Sequence, residues 1–234
     1  MKPSDTITAI ATPPGEGGVG IIRISGKNAL GIAHKLFHPA SGLSPQEFPT
    51  QKVLFGEIRD PDTGQCADEV LLTFFKAPKS YTAEDVIEIN AHGGSWITAK
   101  ILALVLQQGA RLAEPGEFTR RAFTNGRLDL TQAEAVADVI ESASDKALNS
   151  AMAQLKGGLS NRLNSLHQNL LAAQAQLEAA IDFSEDGLTF ESRNTTEKNI
   201  RQVESELREL VDSFRHGKIV REGMQVTLVG KPNV

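Results

Sequence analysis

The hydrophobic period changes once along the chain, and that change restricts the folds open to it. Up to about residue 120, short β-rich runs alternate and are punctuated by Gly and Pro; after Asn125-Gly126 the apolar residues recur every three, four or seven positions. A period of two suits a strand with one buried side, and a period near 3.6 suits an amphipathic helix, so the two parts need different cores. The chain therefore reads as an α+β domain over 1–120 and an all-α helical domain over 121–217, with the start of a third domain over 218–234. A length of 234 residues fits this division, because single cores stop growing near that size.

The runs Ile7–Ala11, Val19–Ile24, Val53–Ile58, Val70–Phe75 and Val86–Asn90 are predicted as strands, each bounded by turn formers. Helices are predicted over about Asn28–Phe37 and Trp96–Gln108, the second stopping at Gly109. Thr131 with Glu134 has the spacing of a capping box at the head of the helical part. Leu155, Leu159, Leu163, Leu166, Leu170, Leu177 and Ile181 then form one stripe, with Gly157-Gly158 as the place for a break. Asp182–Phe190 reads as a polar turn, and Val203, Leu207, Leu210 and Phe214 mark a second amphipathic helix, giving an antiparallel helical assembly not completed within this chain. Met224–Val229 is strand-like and leads into Gly230-Lys231-Pro232-Asn233-Val234.

Composition narrows the function. Apolar residues at 40% and charged residues at 23% exclude a disordered chain. A net charge of -5 lacks the basic excess of a stand-alone nucleic-acid binder, so an RNA substrate would need a partner or a local patch to hold it. Cys66 is the only cysteine, and no histidine stands at metal-ligand spacing from it. The N-terminus opens no signal-type apolar run, and nothing resembles a membrane span, so the expected setting is the cytoplasm with no membrane contact.

Four segments carry candidate chemistry. Ala11–Gly26 is glycine-rich, but its glycines precede a strand, where a dinucleotide fingerprint needs them between a strand and a helix; a tight turn with close backbone approach accounts for most of them. Within it, Arg23 interrupts an isoleucine strand and needs an anionic partner, either a core ion pair or a ligand carboxylate. In Val86–Asn90 the alternation puts Val86, Glu88 and Asn90 on one face and Ile87 and Ile89 on the other. Glu88 is then either a solvated side chain or a carboxylate able to accept paired N–H groups from a pterin. His92-Gly93-Gly94 is similar to an esterase oxyanion loop, but no G-x-S-x-G elbow accompanies it. Pro115–Ala135 reads as a connecting helix and turn whose Arg127 sits at a junction, with a fork suited to a carboxylate tail. The terminal Gly-Lys-Pro-Asn-Val has the layout of the first half of a phosphate-binding loop or, equally, of a simple turn.

Read in order, Asp5-Thr6-Ile7, the glycine-rich turn, Glu84–Glu88 with His92-Gly93-Gly94, Pro115–Phe118, Leu128-Asp129-Leu130 with Gln132–Ala135, Ala180–Phe183, Arg221-Glu222-Gly223 and the final Gly-Lys-Pro-Asn resemble the MnmE (TrmE) family of tRNA modification GTPases nearly end to end. The resemblance implies a folate-binding, dimerising N-terminal domain, a helical domain and an inserted G domain. It implies that the protein, with the flavoprotein MnmG (GidA) in a heterotetramer, adds an aminomethyl or carboxymethylaminomethyl group to C5 of the wobble uridine (U34) of tRNA. The one-carbon unit would come from a reduced folate, 5-formyl- or 5,10-methylenetetrahydrofolate, with GTP, K⁺ and Mg²⁺ as further ligands. By motif, Arg23, Glu88 and Arg127 match the family's 5-formyltetrahydrofolate contacts; Asn233 and Val234 match GTP contacts, and Asn233 also matches a K⁺ ligand. Arg127 departs from the Lys common at that position. On this resemblance the chain stops inside the phosphate-binding loop, the Mg²⁺ ligands lie beyond it, and this chain alone is not expected to hydrolyse GTP. The alternatives are a folate-dependent one-carbon transferase without GTPase activity and a non-enzymatic dimerisation scaffold.

Overall fold

The computed structural model describes residues 5–44, 47–182, 193–222, 227, 229 and 230, and these fall into two compact units, Met1–Leu128 and Asp129–Val234. The first unit is α+β, as its alternating runs require. Its strands are β1 (Ile7–Ile10), β2 (Val19–Ser25), β3 (Phe37–Pro39), β4 (Val53–Arg59), β5 (Cys66–Phe75), β6 (Val86–His92) and β7 (Arg111–Leu112). They form one sheet in the order β3-β4-β5-β6-β2-β1-β7, antiparallel throughout except for β1 beside β7. Neither β3 nor β7 is foreseen from sequence, because two or three residues are too few to display a period.

One face of the sheet is sealed. Ile22 and Ile24 of β2, Leu72 and Phe74 of β5, and Ile87 and Ile89 of β6 pack against Ile32 and Leu36 of α1 (Ala29–Leu36) and Ile101 and Val105 of α2 (Ser95–Gln107). Since strand residues alternate, burying these isoleucines turns Arg23 and Glu88 to the opposite face. A third helix, α3 (Glu117–Thr124), follows β7 and is the connecting helix of the Pro115–Ala135 segment.

The second unit is helical: α4 (Leu130–Glu141), α5 (Asp145–Leu155), α6 (Gly158–Asp182) and α7 (Arg193–Glu222). The capping box at the head of α4 is formed one register earlier than Thr131 with Glu134. Asp129 accepts from the Gln132 backbone N–H, and the Gln132 side chain accepts from the Asp129 N–H. Helical geometry begins at Leu130, so Thr131 is already inside the helix and its hydroxyl donates to Asp129 instead. The leucine stripe is also divided. Leu155 ends α5, the chain turns at Gly157 with φ +85°, and the remaining stripe residues lie in α6. Of the seven, only Leu166 is buried, against an α7 that supplies Val203. The predicted polar turn falls at 183–190, outside the described residues, as do the side chain of Phe214 and most of the Met224–Val229 run.

Candidate functional site

The site grows out of the pairing of β2 with β6. Register places Arg23 directly opposite Glu88, flanked by Ile22–Ile89 and Ile24–Ile87 pairs that face the core. Cross-strand partners on one face lie side by side, so the two charges meet without any loop having to bring them together. The Arg23 Nε and Nη2 atoms lie 2.8 and 2.7 Å from Glu88 Oε1, and among the described residues no hydrogen bond reaches Oε2. Both side chains keep about a quarter of their surface exposed, 25% and 22%. They open onto a cavity of about 540 Å³ whose lining also includes Val86, Lys79, Tyr81 and Arg127.

The structure thus brings Arg23, Glu88 and Arg127 into one cavity, although more than a hundred residues separate the first from the last. Two loops accomplish this. The β5–β6 loop carries Tyr81, whose ring centroid is 5.2 Å from the Arg23 guanidinium carbon and 5.1 Å from that of Arg127. Arg127 Nη1 also donates to the Tyr81 carbonyl at 3.1 Å, and Asn125 Nδ2 donates to the Thr82 carbonyl at 2.7 Å. The segment after α3 is therefore tied to the loop. Phe118 of α3 packs 5.6 Å from the Arg23 guanidinium, and Thr119 shares a 2.8 Å hydrogen bond with the Tyr81 hydroxyl. An aromatic ring beside a guanidinium attracts it through the ring quadrupole and excludes water from one side.

Helix α3 is held in turn by a group that sequence reading misses. Glu117 is 2% exposed and accepts a paired set of hydrogen bonds from Arg111, Nη2 to Oε1 at 2.7 Å and Nη1 to Oε2 at 3.1 Å. Arg121 joins Glu117, Asp5 and Glu84, at 3.2, 2.6 and 3.2 Å. The hydrogen bonds from Arg111 hold the Glu117 carboxyl down at about 2 despite its burial, and Arg111 also keeps Asp5 below the usual carboxylate range. The available signal was a Glu directly after Pro115-Gly116, four residues before Arg121; what it lacked was any sign that Asp5 and Arg111 fold beside it.

Elsewhere in the first unit, the glycine turn is what its sequence implies. Gly17 N–H donates to the Gly93 carbonyl, and a Cβ on Gly93 would stand 2.3 Å from the Gly17 oxygen, so only glycine fits. His92 Nδ1 is 2.7 Å from Asp68 Oδ1, the imidazole exposed and the carboxylate nearly buried, and among the described residues no Ser or Cys is hydrogen-bonded to the ring. Asn90, on the same face as Glu88, donates to the Leu71 carbonyl. Among the described residues no cluster of three or more His, Cys, Asp or Glu side chains could hold a metal ion, and no helix is long and apolar enough to cross a membrane. Asn233 and Val234 lie outside the described residues.

A mixed sheet with a charged, aromatic-flanked cavity on its open face, followed in the chain by four helices, defines an α+β domain joined to an all-α domain. Residues 6–127 match the family model for the GTP-binding protein TrmE N-terminus, and residues 130–227 match that for the MnmE helical domain, so the chain belongs to the TrmE (MnmE) family. It is 47% identical over 232 residues to the tRNA modification GTPase MnmE of Levilactobacillus brevis, covering 98% of this chain and 49% of that protein. Against the proteins of the same name from Clostridioides difficile and Moorella thermoacetica it is 47% and 46% identical over 230 residues, covering 98% of this chain and 50% and 49% of theirs. The chain spans about half the length of the curated relatives it matches.

Proposed function

We propose that this chain supplies the reduced-folate-binding part of a tRNA-modifying GTPase. In this reading the cavity takes 5-formyl- or 5,10-methylenetetrahydrofolate. Glu88 Oε2 accepts N–H groups of the pterin, and the Arg23 guanidinium fixes Glu88 while offering its remaining N–H groups to the ligand. The reading is carried by one observation: Arg23 and Glu88 face each other on the open side of the sheet and line the same cavity as Arg127. A volume of about 540 Å³ lies within the range of small-molecule sites.

The remainder of the proposal concerns the whole protein. A one-carbon unit held here would be delivered to C5 of the wobble uridine of tRNA, in concert with the flavoprotein MnmG, by a homodimeric cytoplasmic enzyme that also binds GTP, K⁺ and Mg²⁺. Its names for similar proteins, tRNA modification GTPase, support this direction. Asn233 and Val234 are assigned to GTP and Asn233 to K⁺ on the motif alone.

Isothermal titration of 5-formyltetrahydrofolate into the chain tests the cavity. One saturable site is expected, with affinity reduced at least about tenfold in both Arg23→Ala and Glu88→Ala, the loss typical of a charge-assisted hydrogen bond. Binding that survives both substitutions, or no binding to the wild-type chain, overturns it. Titrating GDP into the full-length protein then separates a GTPase from a folate-dependent transferase, which would take the folate alone.

A further inference from the structure

The two walls of the cavity carry different charge. On the sheet wall Arg23 and Glu88 neutralise each other. On the loop wall stand Lys79 and Arg127, and among the described residues neither has a carboxylate within 4.0 Å. Arg127 is bonded to the Tyr81 carbonyl, so both cations belong to one short stretch of surface.

That stretch is braced. Lys76 N–H donates to Thr50 Oγ1, Ala77 N–H to Asp85 Oδ1, and Gln51 Nε2 to the carbonyl of Lys79 itself. Gln51 holds φ at +58°, a conformation that costs an L residue energy and persists where the surroundings enforce it. The backbone of Lys79 is thus fixed while its ammonium remains uncompensated beside a concave site. Two unmatched cations at the edge of a cavity raise the local concentration of anions and favour ligands with matching charge.

Resting on the reading of the cavity as a reduced-folate site, we infer that Lys79 is a further binding and specificity residue, pairing with Arg127 to receive the two carboxylates of the ligand's glutamyl tail. The sheet wall then reads the pterin and the loop wall reads the tail, so the site selects tailed folates over pterins without one.

The test crosses a change in the protein with a change in the ligand, using 5-formyltetrahydrofolate and its glutamyl bis-amide as probes in calorimetric or competition titrations. Lys79→Gln should bind 5-formyltetrahydrofolate about tenfold more weakly, and Lys79→Arg should come within about twofold of wild type, as expected for a charged partner. The bis-amide should bind wild type and Lys79→Gln equally. Undiminished binding of 5-formyltetrahydrofolate by Lys79→Gln would overturn the assignment, and so would an equal loss for both probes, which would mark a general disturbance of the loop. A wild-type chain with no affinity for 5-formyltetrahydrofolate would remove the folate reading itself, and this inference with it; a wild-type chain that binds while Lys79→Gln binds equally well removes only the inference.

Discussion

In the first unit Ile22, Ile24, Leu72, Ile87, Ile89 and Ile101 are fully sealed between sheet and helices, whereas the second unit buries chiefly alanines (Ala135, Ala147, Ala151 and Ala173) with Leu166 and Val203. Its larger side chains, among them Leu163, Leu170, Leu177, Leu207 and Val211, stay partly exposed, and several line an apolar groove of about 520 Å³ between α6 and α7. Burial stabilises at about 25 cal/mol per Å² of apolar surface, so an alanine contact contributes far less than an isoleucine one. The difference teaches where rigidity is available. A binding site needs side chains fixed by their neighbours, and among the described residues the sheet unit is the better-packed platform for one.

The largest expected effect tests whether that platform depends on the buried ion network. Glu117→Ala takes from Arg111 and Arg121 the buried carboxylate they share, leaving Asp5 and Glu84 as their remaining acids, and should cost the first unit roughly 3 kcal/mol, the low end for breaking a buried pair. Urea denaturation followed by near-ultraviolet circular dichroism measures this unit selectively, since Tyr81 and Trp96 are the only tyrosine and tryptophan. An unchanged midpoint would mean that α3 is held by something other than Glu117.

The next contrast sets one unit against the other. Ile87→Ala, at a fully buried site, should cost about 2–5 kcal/mol, while Leu170→Ala, at a residue 39% exposed, should cost below about 1 kcal/mol. A loss at Leu170 as large as that at Ile87 would show that the groove is covered in solution and would erase the contrast.

Acid should act on the first unit through Glu117. Its carboxyl is lowered from the ordinary 4.5 to about 2, so the stability it contributes is fully present above pH 4.5 and is lost as the pH falls toward 2, on the order of 3 kcal/mol in all. Glu117→Gln should flatten the stability profile across that window; a profile identical to wild type would assign the acid sensitivity to other groups.

The smallest effect lies inside the first unit, between its sheet and its loops. Ala83 holds φ at +59° in the loop that carries Tyr81. Ala83→Gly should relieve that conformation and raise stability by about 0.5–1 kcal/mol, less than the full cost of a left-handed L residue because glycine also loses more entropy on folding. A lowered thermal midpoint would indicate that the Ala83 methyl packs usefully.

Sequence made the long strands legible because β-branched residues alternate along them, and Arg23 and Glu88 stood out as charges inside isoleucine runs. Their register did not, since pairing of β2 with β6 is a tertiary fact. Tyr81 and Lys79 were invisible as cavity residues because they reach its lining only through the placement of the β5–β6 loop. Glu117 becomes an anchor through Arg111 and Arg121, and those arginines are held in turn by Asp5 from the far end of the unit, which no local pattern displays. At the head of α4 two overlapping capping patterns, Asp129 with Gln132 and Thr131 with Glu134, both fit the sequence, and only the backbone at Leu130 chooses between them.

Amide hydrogen exchange with and without 5-formyltetrahydrofolate tests the central claim most directly. Without ligand, exchange should be slowest in β2, β5 and β6 and faster throughout α6 and α7. With ligand, added protection should appear in residues 76–92 and 125–128 and leave the helical unit unchanged. Protection confined to the groove between α6 and α7, or binding with no change around Arg23 and Glu88, would contradict the account.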